Sequence, residues 1–169
     1  MKNAKSLYHA HRFPAAVISR AVRGYFRFQR SLRDIEELLF ERGVIVSYET
    51  VRRWCDKFGA GFAHRVNIRQ RKPRFPNLTH VKHVFVKASA RVNNRAENSH
   101  QPTRERERRM RGFRDPERTQ AFLSSFGPIR QHFALKRHLL RALLYRKRLA
   151  ACLAAWHRFT EATQDPSVF

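Results

Sequence analysis

Ser47, Glu49, Thr50, Arg52 and Arg53 place two hydroxyls, a carboxylate and two guanidiniums within seven consecutive positions, beside Tyr48. Those groups suit the reading of nucleic-acid bases. Arg can bond a guanine edge through two hydrogens, Glu accepts from cytosine, and Ser or Thr bonds a phosphate or a base. Cys55 and Cys152 lie far apart and show no metal-ligand spacing or disulfide framework. His80, His83 and His100 are scattered.

The elements that must position these groups are helical. Pro14 suits the first turn of a helix, and Val17, Ile18, Ala21, Val22, Tyr25 and Phe26 follow at helical spacing. A polar break at Gln29 and Arg30 precedes a second helix with Ser31 as N-cap, Asp34 at the capping-box position and Leu32, Ile35, Leu38 and Leu39 as its apolar face. Gly43 is placed to stop that helix. Ser47 caps a third, which buries Val51, Trp54 and Phe58 and is expected to end near Gly59. Three short helices, the last two joined by a Gly-containing turn, form the pattern of a helix-turn-helix module over residues 13–64. In that geometry Ser47, Glu49, Thr50, Arg52 and Arg53 face base edges, and Tyr48 packs or meets phosphate.

Residues 65–76 are basic and punctuated by proline, and read as a linker whose Arg69, Arg71 and Lys72 can track phosphates. Thr79 to Val86 is rich in β-branched and aromatic residues and predicts a strand, the only good one in the chain. A single strand needs neighbours for its N–H and C=O groups. Beyond it the pattern returns to helix: a charged segment over Asn94–Arg111 interrupted by Pro102, a helix opened by Pro116 and broken near Gly127-Pro128, and a last basic amphipathic helix over about Ile129–Thr160.

Composition bounds the partners. The 169 residues hold 36 Lys+Arg against 13 Asp+Glu, a formal charge of +23. Residues 1–74 carry 17 basic and 6 acidic side chains and the remainder 19 and 7, so the charge is no tail. Basic modules with apolar periodicity point to a polyanion, most often nucleic acid. No apolar run approaches the roughly 18 residues of a membrane span, and the start lacks the apolar segment of a signal peptide. A cytoplasmic, nucleoid-associated chain with no membrane partner is expected.

Between Asp56 and Glu97 there is no acidic residue. Glu97 lies in the string Val92-Asn93-Asn94-Arg95-Ala96-Glu97-Asn98-Ser99-His100-Gln101-Pro102-Thr103-Arg104. That string resembles the segment around the last catalytic carboxylate of bacterial insertion-sequence transposases of the DDE type, the insertion-sequence-six family. Phe13-Pro14, Ser31 to Glu37, Glu41 to Val44, Thr50 to Trp54, Met110 to Arg114 and Ala121 to Ser124 extend the resemblance. It implies a fold that is mainly α: the three-helix module followed, over residues 77–160, by the C-terminal remnant of an RNase H-like α/β catalytic domain. It also implies three carboxylates holding Mg²⁺ for in-line phosphoryl transfer. Here Glu97 stands at the third, metal-binding carboxylate, and Arg104 matches the basic residue that follows it. Neither segment bearing a catalytic Asp is present between Arg74 and Phe75, which accounts for the solitary strand by an in-frame deletion. Glu105, Glu107 and Asp115 lie on the same charged segment as Glu97 and cannot converge with it from another strand.

The expected function is that of a truncated transposase. It binds double-stranded DNA at the terminal inverted repeats of its element, is inactive alone, has no functional Mg²⁺, and associates with intact transposase or with itself. A non-specific basic DNA- or RNA-binding protein is the alternative. Because the helices beyond residue 75 would normally cover a sheet, Phe122, Phe126, Phe133 and Leu139 are expected to be exposed, and residues 75–169 to be poorly soluble. The first block is expected to fold alone.

Overall fold

The computed structural model describes the backbone of residues 7–70, 92–135 and 137–161, and the side chains of all of these except 69–70 and 92–99. Six α-helices occur among the described residues: α1 (Ala15–Arg27), α2 (Leu32–Phe40), α3 (Tyr48–Gln70), α4 (Val92–Arg109), α5 (Pro116–His132) and α6 (Ala142–Thr160). No strand occurs among the described residues, and the strand predicted over Thr79–Val86 lies outside them. The contacts divide the chain into two compact units, one of Met1–Gln70 with Gln120–Phe169 and one of Arg71–Thr119.

In the first unit, local chemistry starts and stops the helices where the residue types dictate. Pro14 stands at the N-cap of α1, its carbonyl accepting from Val17 and Ile18 N–H. Gln29, at φ 53, turns the chain out of α1. The Ser31 hydroxyl accepts from Asp34 N–H at 3.0 Å while the Asp34 carboxylate accepts from Ser31 N–H at 2.9 Å, a complete capping box on α2. At the other end Gly43, at φ 73, donates to the Phe40 carbonyl while Val44 donates to that of Leu39. This crossed pair of bonds is a Schellman stop, and it requires a residue that tolerates the left-handed region.

The core of this unit is laid down by spacing. Val51, Trp54, Cys55, Phe58, Phe62 and Val66 form one buried stripe along α3, facing Val17, Ile18, Ala21, Val22 and Phe26 of α1 and Ile35 and Leu39 of α2. α3 does not end near Gly59. It runs through Gly59 and Gly61 to Gln70 and so enters the stretch read as linker. The reason is packing. A Cβ at Gly59 would lie 2.9 Å from the Phe26 ring, so this glycine permits close approach of two helices instead of ending one.

α5 and α6 complete the same unit. α5 also continues through the expected break at Gly127-Pro128, with Phe126 and Ile129 buried on either side. Burial of that face outweighs the roughly 3 kcal/mol that an interior proline costs. The chain breaks later. Phe133 and Ala134 donate three residues back, Leu135 and Arg137 two residues back, and a short 3₁₀ turn at Arg137–Leu139 leads into α6. One long helix over Ile129–Thr160 is therefore replaced by a helical hairpin.

That hairpin returns Trp156 to the core, 0% exposed, against Phe62 at 5.6 Å and Phe133 at 5.6 Å between ring centroids. Phe122 stacks on Phe26 at 5.8 Å and on Phe126 at 5.2 Å. Phe122, Phe126 and Phe133 are thus buried, contrary to expectation, because the three-helix block supplies the cover a sheet was expected to give. Leu139 is exposed as expected, at 67%, and so is Leu143.

A buried polar network joins α1 to α6. Trp156 Nε1–H donates to Ser19 Oγ at 2.9 Å, Ser19 Oγ and Thr160 Oγ1 are 2.9 Å apart, and the Tyr8 hydroxyl donates to the Thr160 carbonyl. Burial pushes the Tyr8 phenol up to about 12, so it stays a donor. Near the end of α6, Arg65 donates to the Phe159 carbonyl at 2.8 Å and pairs with Glu161 at 3.0 Å.

In the second unit α4 is continuous through Pro102. Arg111 at φ 58 and Gly112 at φ 90 end it, Gly112 donating back to the Glu107 carbonyl. Asp115 then accepts from Glu117 and Arg118 N–H at 3.0 and 3.2 Å, with Pro116 at the first position of α5.

Candidate nucleic-acid interface

The stripe that buries Val51, Trp54, Cys55 and Phe58 leaves Glu49, Arg52, Arg53 and Asp56 on the opposite side of α3, all exposed. Residues spaced three and four apart share a face, so both guanidiniums and the Glu49 carboxylate are offered to solvent together. Ser47, also exposed, is fixed by its capping role. Its hydroxyl lies 3.1 Å from that of Thr50 and accepts weakly from Thr50 N–H at 3.4 Å. Tyr48 is 39% exposed, with the Arg33 guanidinium of α2 over its ring at 5.7 Å. Ser47, Glu49, Thr50, Arg52 and Arg53 are therefore gathered on the first turns of one helix, seated on α1 and α2.

The remaining candidates are distributed differently. Arg69 lies in the last turn of α3, and Arg71 and Lys72 lie outside the described residues. Glu97 and Arg104 both belong to α4, seven positions apart. Because the helix is continuous, the two positions fall on one face about 10 Å apart along the axis. Arg104 is exposed. Glu105 and Glu107 sit on the same helix, with Gln101 donating to Glu105 at 3.2 Å. Among the described residues no three His, Cys, Asp or Glu side chains converge as metal ligands. Glu105 and Glu107 approach from one helix, whereas a two-metal centre draws its carboxylates from separate elements.

A second concentration of positive charge was missed in the sequence. Arg20 and Arg23 of α1, Arg30 of the connection and Arg42 beyond α2 line a cleft of about 480 Å³ between α1 and α2. The signal was present, since Arg20 and Arg23 stand three apart on α1, but only the packing of α2 brings Arg42 to them. Burial, then the nearby Arg27 and Arg20 charges, pull the Arg23 guanidinium down to about 10, which leaves it cationic at neutral pH.

No helix among the described residues is long and apolar enough to cross a membrane. No protein-family model matches the chain, and no solved structure does. Over 46 residues it is 48% identical to the transposase for insertion sequence-like element IS431mec of Staphylococcus aureus, in strains Mu50 and N315 alike. The match covers 27% of this chain and 20% of the relative, so the chain spans about a fifth of the length of the curated relatives it matches. Part of this chain is thus similar to an insertion-sequence transposase, which points to a transposition-related origin.

Proposed function

We propose that the chain is an internally shortened insertion-sequence transposase of the DDE type, insertion-sequence-six family, that binds DNA and is catalytically inactive by itself. In this reading α1 to α3 form a helix-turn-helix module with α3 as recognition helix. The basic stretch 65–76, whose first part continues α3 as far as Gln70, leads on to residues 77–160, the remnant of an RNase H-like domain. The observation that carries the reading is the outward face of α3, where Ser47, Glu49, Arg52 and Arg53 are exposed on a helix packed from behind against α1 and α2. Arg52 and Arg53 bond guanine edges or phosphates, Glu49 selects cytosine, and Ser47 and Thr50 take a phosphate. Arg69, Arg71 and Lys72 follow the backbone. Double-stranded DNA at the element's ends is the partner, with intact transposase or a second copy as a further one.

Inactivity follows from the donor set. Phosphoryl transfer in this class draws on two Mg²⁺ ions held by carboxylates from separate elements. Glu97 and Arg104 are inherited positions of that site. The sequence offers no acid between Asp56 and Glu97 to join them.

Titration of the whole chain against a duplex bearing the element's terminal repeat, and against a scrambled repeat, at two salt concentrations tests the binding. Preference for the true repeat is expected to survive the higher salt. Replacing Arg52 and Arg53 by Ala is expected to cost about 1–3 kcal/mol of discrimination at each base pair that these side chains read. Equal, salt-sensitive binding to both duplexes would favour the non-specific reading, which the +23 charge supports. Strand transfer by the pure chain with Mg²⁺ or Mn²⁺ would overturn the inactive assignment.

A further inference from the structure

We propose that the cleft between α1 and α2 is a phosphate-binding site, taking a phosphodiester of a polynucleotide or the phosphates of a small phosphorylated molecule. Four guanidiniums, those of Arg20, Arg23, Arg30 and Arg42, line it, and no carboxylate does. They arrive from three directions: along α1, from the connection after it, and from beyond the end of α2. Arg42 is anchored there by donating Nη1 to the Leu38 carbonyl at 2.8 Å.

The Nε–H of Arg23 is buried and has no acceptor. Like charges crowd one another at this place, Arg42 acting on Arg20 and Arg20 on Arg23. An anion that supplies acceptors relieves both conditions at once. The floor is apolar, with Ala21, Ile35 and Leu39 buried. A low-dielectric floor strengthens pairing between an entering anion and the arginines.

The chemical class follows from number and geometry. A planar carboxylate is satisfied by one guanidinium fork, whereas several forks from different directions suit a tetrahedral group with three or four oxygens. The cleft volume of about 480 Å³ exceeds one phosphate and falls in the range of small-molecule sites. Phe28, lining the cleft and 53% exposed, offers a ring against the body that carries the phosphate.

The test uses the whole chain with pyrophosphate as probe, and compares Arg23→Gln, Arg42→Gln and the charge-matched exterior variant Arg158→Gln. Pyrophosphate is expected to raise the melting temperature of the parent and of Arg158→Gln, and to bind Arg23→Gln and Arg42→Gln about tenfold or more weakly. Arg42 is exposed, so its replacement keeps the test valid if Arg23→Gln fails to fold. Duplex DNA separates the two sources. For a phosphodiester, the slope of log affinity against log salt becomes shallower in these variants, by about 0.9 for each phosphate no longer neutralised. For a small phosphorylated ligand that slope is unchanged. No stabilisation by pyrophosphate together with an unchanged DNA slope, or an equal weakening in Arg158→Gln, would overturn the site. An Arg52→Ala/Arg53→Ala chain that no longer binds DNA but keeps pyrophosphate would separate this site from the recognition face.

Discussion

Gly59 and Gly61 stand two positions apart in one helix and play opposite parts. At Gly59 a methyl group would meet the Phe26 ring at 2.9 Å, while at Gly61 it would meet nothing within 4 Å. Gly61→Ala is expected to raise stability by about 0.5–1 kcal/mol, the helix-propensity difference. Gly59→Ala is expected to lower it by about 1–3 kcal/mol through overpacking despite the same propensity gain. Urea denaturation of both variants checks the contrast. Ser19 is the second decisive residue, since its hydroxyl accepts from the Trp156 indole and lies beside Thr160. Ser19→Ala leaves a fully buried N–H without this acceptor, and a destabilisation of about 1–3 kcal/mol is expected in the same measurement. In the sequence, Ser19 is one polar residue in an apolar helix. Its partners lie about 140 positions away, so local pattern carried no sign of the network.

Helix starts were more legible than helix stops. The capping box at Ser31 and Asp34, the serine before α3 and the proline opening α5 are each made by residues within four positions of one another. Their chemistry is complete within the segment. The stop at Gly43 is equally local, because two crossed hydrogen bonds require its φ of 73. Gly43→Ala is expected to cost about 1–2 kcal/mol, the penalty of placing a Cβ in the left-handed region. Circular dichroism during thermal unfolding should show it. By contrast, Gly59, Gly61, Gly127, Pro102 and Pro128 all resemble breaks in the sequence and none of them ends its helix. In α3 and α5 the intrinsic cost of each is a few kcal/mol at most, and burial of a helix face exceeds it.

At the scale of the molecule, the first unit draws on both ends of the chain. A fragment of residues 1–70 would uncover Phe26 and Phe62 where Phe122 and Trp156 now pack. That fragment is expected to melt at a lower temperature than the whole chain and to self-associate, which calorimetry and size-exclusion elution would show. Such an outcome would reverse the expectation that this block folds alone. Closure of the unit also sets a pH dependence. His132 is half-buried between α5 and α6 and donates to the Cys152 carbonyl at 2.9 Å. Burial pulls its pKa down, that hydrogen bond opposes the shift, and the Arg27 charge adds to it. The unfolded chain therefore takes up a proton that the folded state resists. His132's contribution is full above about pH 6.5 and declines as pH falls below it. Melting temperature is expected to drop between about pH 7 and pH 5, and less steeply for His132→Gln.

What the residues alone determined was local: the helical class, the buried stripes of α1 to α3, the caps, and a basic exposed face on α3. Each depends on spacings of three or four positions, over which backbone geometry is nearly constant. The string around Glu97, on which the proposed family rests, is likewise contiguous. Only the tertiary structure decided that α3 passes its glycines, that the C-terminal segment is a hairpin covering Phe26 and Phe62, and that Arg42 joins Arg20 and Arg23 around one cleft. Those outcomes turn on which apolar face covers which. Burial acts between residues far apart in the chain, and its balance is set only when the helices meet.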